Sequence, residues 1–337
     1  YFDAHNNLGN ALHELENYDD AAASFSRALA LEPENADARN NLGLLYQDLS
    51  RFDDAVACYR QALDVDLEYA NAHSNFGVAL NALGRQDEAI AHFDKFLDLS
   101  CDPENIRPDD KRFHTISKAK IDHDIEQYRY LESLGSKPEV FGALAETYEN
   151  LREEIEWPHG DAFLVPLTGE QADRIGDSYN RPFHRIEAPR VPGSSLGENI
   201  DAEAVTRQYF ENWPGVTYLD GILSSQALAA LRRFLLESTI WFDFRYRRGY
   251  LGAFLKDGLA CPLVLQIAED FRRTFPKIFK DHRLLQCWAY KYDSRLDGIE
   301  VHADMAAVNV NFWITPDSAN LNSDGGGLVV YKIEAPL

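Results

Sequence analysis

The chain has 337 residues, 45% of them hydrophobic and 26% charged, with a formal net charge of −22. That length leaves room for two or three folding units, each with its own core. The acidic excess excludes a polyphosphate partner, because nucleic-acid binders need a cationic footprint. The absence of any run near 20 apolar residues excludes a membrane span. Arg245, Arg247 and Arg248 form the densest basic cluster and read as ordinary surface. The four cysteines, Cys58, Cys101, Cys261 and Cys287, are scattered without a CxxC pair. They fit neither a disulfide framework nor a zinc site, which points to a reducing, cytoplasmic setting.

The first hundred residues repeat with a period of 34. Gly9, Gly43 and Gly77 share a phase, as do Ala4, Ala38 and Ala72, and Ala21, Ala55 and Ala89. Large apolar residues recur at Leu8, Leu42 and Phe76, and aromatics at Phe25, Tyr59 and Phe93. Small residues let two helices of a pair approach closely, and the aromatics fill the layer beside them. This period with two amphipathic segments per unit is that of tetratricopeptide (TPR) helix pairs, of which about three are needed for a stable stack. Residues 1–106 are therefore expected to hold three units. The third is irregular, since Ala28 and Ala62 give way to Phe96, and Pro33 to Leu67 and Cys101. The chain begins inside a repeat and without Met, so it is expected to be a piece of a longer one.

Asn7, Asn41 and Asn75 share the phase too, on the first helix of each unit, the one expected to line the concave face. The motif "AHNNLG…ARNNLG…AHSNFG" resembles the superhelical repeats of O-linked N-acetylglucosamine transferases. That resemblance implies an asparagine ladder that grips the backbone of an extended protein or peptide partner. The chemistry suits the task, because a carboxamide offers both a donor and an acceptor and so reads main chain of any sequence. Solvated or locally bonded asparagines are the competing reading.

Residues 107–157 read as capping helices, over 109–132 and 138–156, with apolar spacing at Ile116, Ile121, Ile125, Tyr128 and Leu131. Residues 158–212 form a Pro/Gly-rich connector, expected to carry little regular structure. From residue 213 the pattern is mixed: a strand over Val216–Leu219, a helix capped by Ser224 or Ser225 that runs to Glu237, and a helix over Cys261–Phe275. Strand-like runs follow at Leu284–Tyr292, Glu300–Met305, Val308–Ile314 and Gly327–Lys332. Helices first and short strands afterwards give an α solenoid joined to an α+β domain.

His-x-Asp is half of the facial triad that holds iron while leaving positions open. With 10 His and 31 Asp, about one such pair arises by chance, and the chain has three. His92/Asp94 lies on a helix, where residues two apart point about 200° apart. His159/Asp161 lies in the connector. Only His302/Asp304 falls in a strand, where i and i+2 share a face. On the preceding strand Gln286, Trp288, Tyr290 and Tyr292 share a face, and Asn309, Asn311 and Trp313 share one on the next, a polar lining for a pocket.

The stretch "LQCWAYKYDSRLDGIEVHADMAAVNVNFWITPDSANLNSDGGGLVVY" resembles the Fe(II)/2-oxoglutarate-dependent oxygenases, with a weaker likeness back to "WPGVTYLDGILSSQALAALRRFL". The resemblance implies that residues 213–337 are the N-terminal part of a double-stranded β-helix (jelly-roll) domain. It further implies His302 and Asp304 as iron ligands, with Tyr290 and Tyr292 facing the 2-oxoglutarate cosubstrate. A second His ligand and the Arg or Lys that grips 2-oxoglutarate are expected beyond residue 337, since neither His nor Arg follows Asp304. The expected function is thus an oxygenase that recruits a protein or peptide through its repeats. A non-catalytic TPR adaptor with a degenerate β-domain is the alternative, and a cupin-like metalloenzyme a third.

Overall fold

In the computed structural model, the described residues are 1–106, 110–135, 137–158, 164–212, 215–245, 250–279, 282–291, 308–312 and 314. They divide into two compact units. The first gathers the chain up to Ile106 together with Phe254–Ala260 and Leu284–Cys287, and the second holds the rest.

Six helices make the body of the first unit: α1 (Phe2–Glu14), α2 (Tyr18–Leu31), α3 (Ala36–Asp48), α4 (Phe52–Val65), α5 (Ala70–Ala82) and α6 (Gln86–Cys101). They pack as the pairs α1/α2, α3/α4 and α5/α6, and each pair stacks on the next through α2/α3 and α4/α5. The in-phase residues show why. Phe25, Tyr59 and Phe93 are fully or almost fully buried, each set against the glycine of its own pair, with the nearest ring atom 2.5–2.7 Å from where a Cβ at Gly9, Gly43 or Gly77 would sit. Ala21, Phe25, Leu42 and Leu45 then form one core cluster across the first two pairs. Each pair turns through a left-handed residue, again in phase: Glu16, Ser50 and Gly84 have φ of 58°, 56° and 78°. Only Gly84 adopts that conformation without steric cost. The outer helix of the stack, α6, packs against a 3-10 turn at Leu255–Asp257, and the Lys256 ammonium lies 5.3 Å from the centre of the Phe96 ring.

The second unit starts with a short helix α7 (Lys111–His114), strand β1 (Thr115–Ser117), and helices α8 (Lys118–Ser133) and α9 (Pro138–Glu154), which pack on each other. The helix expected over 138–156 is present as α9, whereas the one expected over 109–132 is broken at Thr115–Ser117, which form β1, so that α8 starts only at Lys118; the described residues of both stretches belong to this unit. β2 (Leu164–Pro166) pairs antiparallel with β1, with Ile116 opposite Val165. The stretch expected to be an irregular connector carries β2, α10 (Gly169–Ile175) and α11 (Ala202–Glu211). A capping box explains α10: Thr168 accepts from the Gln171 backbone N–H and Gln171 accepts from that of Thr168.

The non-helical run between α10 and α11 is held rather than loose. From helix α13 (Pro262–Thr274), Gln266 accepts from Val191 N–H at 2.8 Å and donates to Val191 and Gly193 carbonyls, while Asp270 accepts from Ser195 N–H and Oγ at 2.8 and 2.7 Å. Composition alone hid this, because the anchors are two polar side chains some 75 residues away. Helix α12 (Ser225–Glu237) is capped by Ser224, which accepts from Ala227 N–H at 3.2 Å, and α14 (Pro276–Phe279) follows α13. Strand β3 (Leu251–Phe254) pairs with β4 (Trp288–Lys291). Val216–Leu219 is irregular, against the expected strand, with a single bridge further on between Leu223 and Leu196. Residues 308–312 carry no strand either. Among the described residues the sheets are two-stranded, and no helix is long and apolar enough to cross a membrane.

Candidate functional sites

The first site lies along α1, α3 and α5, the first helices of the three pairs. Asn41 is half-buried and donates from Nδ2 to Asn6 Oδ1 at 3.2 Å; Asn75 does the same to Asn40 Oδ1 at 2.9 Å. Both bonds span 35 residues, so each joins one first helix to the one before it. The in-phase asparagines thus meet partners one residue out of phase, Asn6 and Asn40, which the period of 34 alone does not single out. The doubled "NN" in the first two repeats was the available signal. Asn7, at the start of the row, is exposed. A carboxamide has two N–H donors and an acceptor oxygen, so Asn41 and Asn75 retain capacity for another group after these bonds.

Asn81, near the end of α5, makes a different contact. Its Nδ2 donates to the backbone carbonyl of Leu284 at 2.8 Å. Leu284–Cys287 is non-helical chain without regular structure, and its Cys287 carbonyl accepts from Leu255 N–H at 2.8 Å. Asn81 therefore holds a main-chain segment by a backbone group that every residue type carries. Asn81 and Ser74 are seven residues apart, two helical turns on one stripe, as are Asn40 and Gln47, and Asn6 and His13.

A histidine pair sits between α5 and α6. His73 Nε2 lies 3.0 Å from the Leu67 carbonyl and must donate to it, so His73 Nδ1 accepts from His92 Nδ1–H at 2.8 Å. Burial lowers the pKa of both rings; His92 is pulled to about 4, with the neighbouring His73 adding to the effect. The pair is neutral at pH 7, and His92 is engaged with His73 and stacked near Phe76 rather than set up with Asp94 as a metal pair.

The second site is the strand β4. Tyr290 is half-buried, its ring 5.2 Å from Tyr250 and nearly perpendicular to it, and 6.3 Å from Trp288. The shared face expected for Trp288 and Tyr290 is thus an aromatic cluster. On the other face Lys291 Nζ donates to Glu126 at 2.8 Å and to His123 Nδ1 at 3.0 Å, tying β4 to α8. Because Nδ1 accepts, the neutral His123 carries its proton on Nε2, which is buried without a hydrogen-bond partner. Burial, and then Lys291, hold His123 well below its usual pKa. Tyr292, His302 and Asp304 lie outside the described residues, as do His159 and Asp161. Among the described residues there is no group of three or more His, Cys, Asp or Glu side chains that could hold a metal ion.

Two family patterns match the chain, one described as TPR repeat over residues 9–50 and one as Tetratricopeptide repeat over 41–105. Residues 9–105 are tetratricopeptide repeats. The match coincides with the six helices and the period of 34. No curated protein matches the chain. Among solved structures, MamA is 29% identical over 30% of this chain and 58% of its own, with a TM-score of 0.29. This chain thus spans less than two thirds of the MamA structure. The second TPR domain of Spaghetti (RPAP3), solved with the HSP90 peptide SRMEEVD, is 26% identical over 29% of this chain and 91% of its own, also at 0.29. The TPR domain of Arabidopsis OM64 is 26% identical over 31% and 84%, at 0.29.

Proposed function

We propose that the tetratricopeptide repeats hold an extended polypeptide along the faces of α1, α3 and α5, with carboxamides reading its main chain. The observation that carries this reading is the bond from Asn81 to the Leu284 carbonyl, in which a first-helix carboxamide already grips non-helical backbone. Asn7, Asn41 and Asn75 offer the same group on a neighbouring stripe of these helices, which the Asn41–Asn6 and Asn75–Asn40 bonds join to that of Asn81. A binding test uses an uncharged peptide selected on the wild-type chain from a random display library. Asn7→Ala, Asn41→Ala and Asn75→Ala together are expected to weaken its capture ~10- to 1000-fold, at about 0.5–1.5 kcal/mol per lost hydrogen bond. The loss should be nearly the same at low and high salt, since no net charge is involved. The triple variant also lacks the bonds to Asn6 and Asn40, so its dissociation constant is read where circular dichroism shows the array folded. An unchanged constant, or a steep salt dependence in the wild type, rules the reading out.

For the rest of the chain we propose an Fe(II)/2-oxoglutarate-dependent oxygenase on a double-stranded β-helix, acting on what the repeats recruit. This rests on the sequence: a His302/Asp304 pair in a run expected to be a strand, and the resemblance of the surrounding stretch. An imidazole nitrogen and a carboxylate oxygen suit Fe(II), which would supply oxygen activation when bound. In this reading His302 and Asp304 hold the metal, and Tyr290 and Tyr292 face the cosubstrate. Calorimetry of the full-length protein should show Mn(II), as a stand-in for Fe(II), bound strongly by the wild type and weakly by His302→Ala and Asp304→Ala. His92→Ala should leave binding intact, because that ring is committed to His73. Equal affinity in all four proteins would sink the assignment and favour a non-catalytic adaptor.

A further inference from the structure

His13, Gln47 and Asn81 recur at the period of 34, each near the end of the first helix of its pair. In the first two pairs this polar group is used inside the array. His13 Nε2 lies 2.7 Å from Asp48 Oδ2, and Gln47 Oε1 accepts from the Tyr59 hydroxyl at 3.3 Å. In the third pair the same position holds main chain instead, through the 2.8 Å bond from Asn81 to the Leu284 carbonyl. Three residues further on, the Cys287 carbonyl accepts from Leu255 N–H, also at 2.8 Å. Leu255 is a firm anchor, 5% exposed and part of the 3-10 turn packed on α6. Between the two anchored carbonyls Leu285 is 53% exposed, and Gln286 is exposed as well. The segment is therefore gripped by its backbone, while the side chains in its middle face solvent. A bound peptide of arbitrary sequence would be held in the same way.

We propose that Leu284–Cys287 is a resident ligand of the repeats, occupying the α5 end of the row until an incoming polypeptide displaces it. This rests on the reading of the repeats as a main-chain binder and adds its regulation. A carboxamide donor does not distinguish one backbone carbonyl from another. Any extended chain that runs from α1 to α5 thus competes with Leu284 for Asn81. The dissociation constant observed for such a chain is raised by the inverse of the fraction of molecules whose segment is off. Two hydrogen bonds of modest net strength, with little apolar burial between them, favour the occupied state on the order of 3- to 30-fold. That is enough to set a threshold for binding and too little to block it.

The test uses the full chain and an uncharged peptide selected on it, about twelve residues long. Extended at roughly 3.3 Å per residue, such a peptide reaches past three helices spaced roughly 10 Å apart. Leu284→Gly, Leu285→Ser, Gln286→Gly and Cys287→Ser together keep the carbonyls but make the segment costlier to order. This variant is expected to capture the peptide about 3- to 30-fold more tightly than the wild type, because its own segment competes less. In the unaltered chain, saturating peptide should speed amide exchange at Leu255, whose N–H loses the Cys287 carbonyl. A segment that only braces the fold would lower the thermal midpoint of the variant and leave capture unchanged or weaker, and that result overturns the proposal. So does Leu255 exchange that the peptide leaves unchanged, a readout that needs no substitution. The main-chain reading is judged separately by the Asn7, Asn41 and Asn75 variant. If that variant binds weakly while the Gly/Ser variant binds like the wild type, the reading stands and the resident ligand falls. If it binds like the wild type, both fall.

Discussion

Gly43→Ala is expected to destabilise the tetratricopeptide stack by about 1–3 kcal/mol, the range for forcing extra atoms into a packed core. The new methyl would lie 2.5 Å from Tyr59 Cε1 and 2.9 Å from Cδ1. Neither atom can withdraw easily. Tyr59 is fully buried, packs toward Phe76 on the next pair, and donates its hydroxyl to Gln47 Oε1 at 3.3 Å. Alanine has the higher helix propensity by about 1 kcal/mol, so propensity alone predicts the opposite sign. Urea denaturation followed by circular dichroism decides between them. If packing governs, Gly43→Ala is recovered in part by Tyr59→Leu, which removes the obstructing ring, although Tyr59→Leu alone is destabilising. A stabilised Gly43→Ala protein would mean that α3 and α4 do not approach as closely as the glycine allows.

That pair of residues also marks what the sequence discloses about this protein. Gly43 and Tyr59 recur at a fixed period, and a period is a statement about packing that can be read without coordinates. So the six helices, their pairing and the asparagine row were legible, as were the ends of α12 and α13, where a capping Ser and a Pro at the first position announce the start. What stayed hidden depends on contacts between residues far apart in the chain. Gln266 and Asp270 look like surface residues of an amphipathic helix, yet they anchor the run around Val191 and Ser195. Asn81 is out of phase with Asn7, Asn41 and Asn75, so its hold on Leu284 could not be inferred from the repeat. The strand face of Trp288 and Tyr290 was legible from alternation. That it meets Tyr250 was not, because β3 precedes β4 by more than thirty residues of helix and turn.

Lys120→Met in α8 is expected to cost the second unit about 3–5 kcal/mol, the range for orphaning one partner of a buried ion pair. Lys120 and Asp124 are one helical turn apart, their side chains only 5% and 6% exposed, with Nζ within 2.5 and 2.7 Å of the two carboxylate oxygens. The lysine also lies 5.5 Å from the centre of the Tyr179 ring. Burial raises the Asp124 pKa above its ordinary value, and the Lys120 charge opposes that rise. Without the lysine the opposition is gone and the carboxyl is driven further toward its neutral form. Its folded pKa then rises further above its unfolded one, so the unfolded chain binds fewer protons than the folded one over a wider pH range and folding is penalised there more than in the wild type. The sign follows: the deficit of Lys120→Met relative to wild type is smallest below the unfolded pKa of about 3.9, and it grows as pH rises through the folded value. A polar cavity of about 10 Å³, lined by Lys120, Asp124, Gln127, Ser178 and Thr239 among others, sits beside the pair, room for about one water. Such a water can satisfy one oxygen of a lone carboxyl but cannot replace a charge. The double variant Lys120→Met, Asp124→Leu removes both charges, and it is expected to be more stable than Lys120→Met alone at pH 7, approaching wild type. Denaturation of the three proteins at pH 4.5 and pH 7.5 supplies the double-mutant comparison, and a deficit for Lys120→Met that is equal at the two pH values would show that Asp124 remains ionised without its partner.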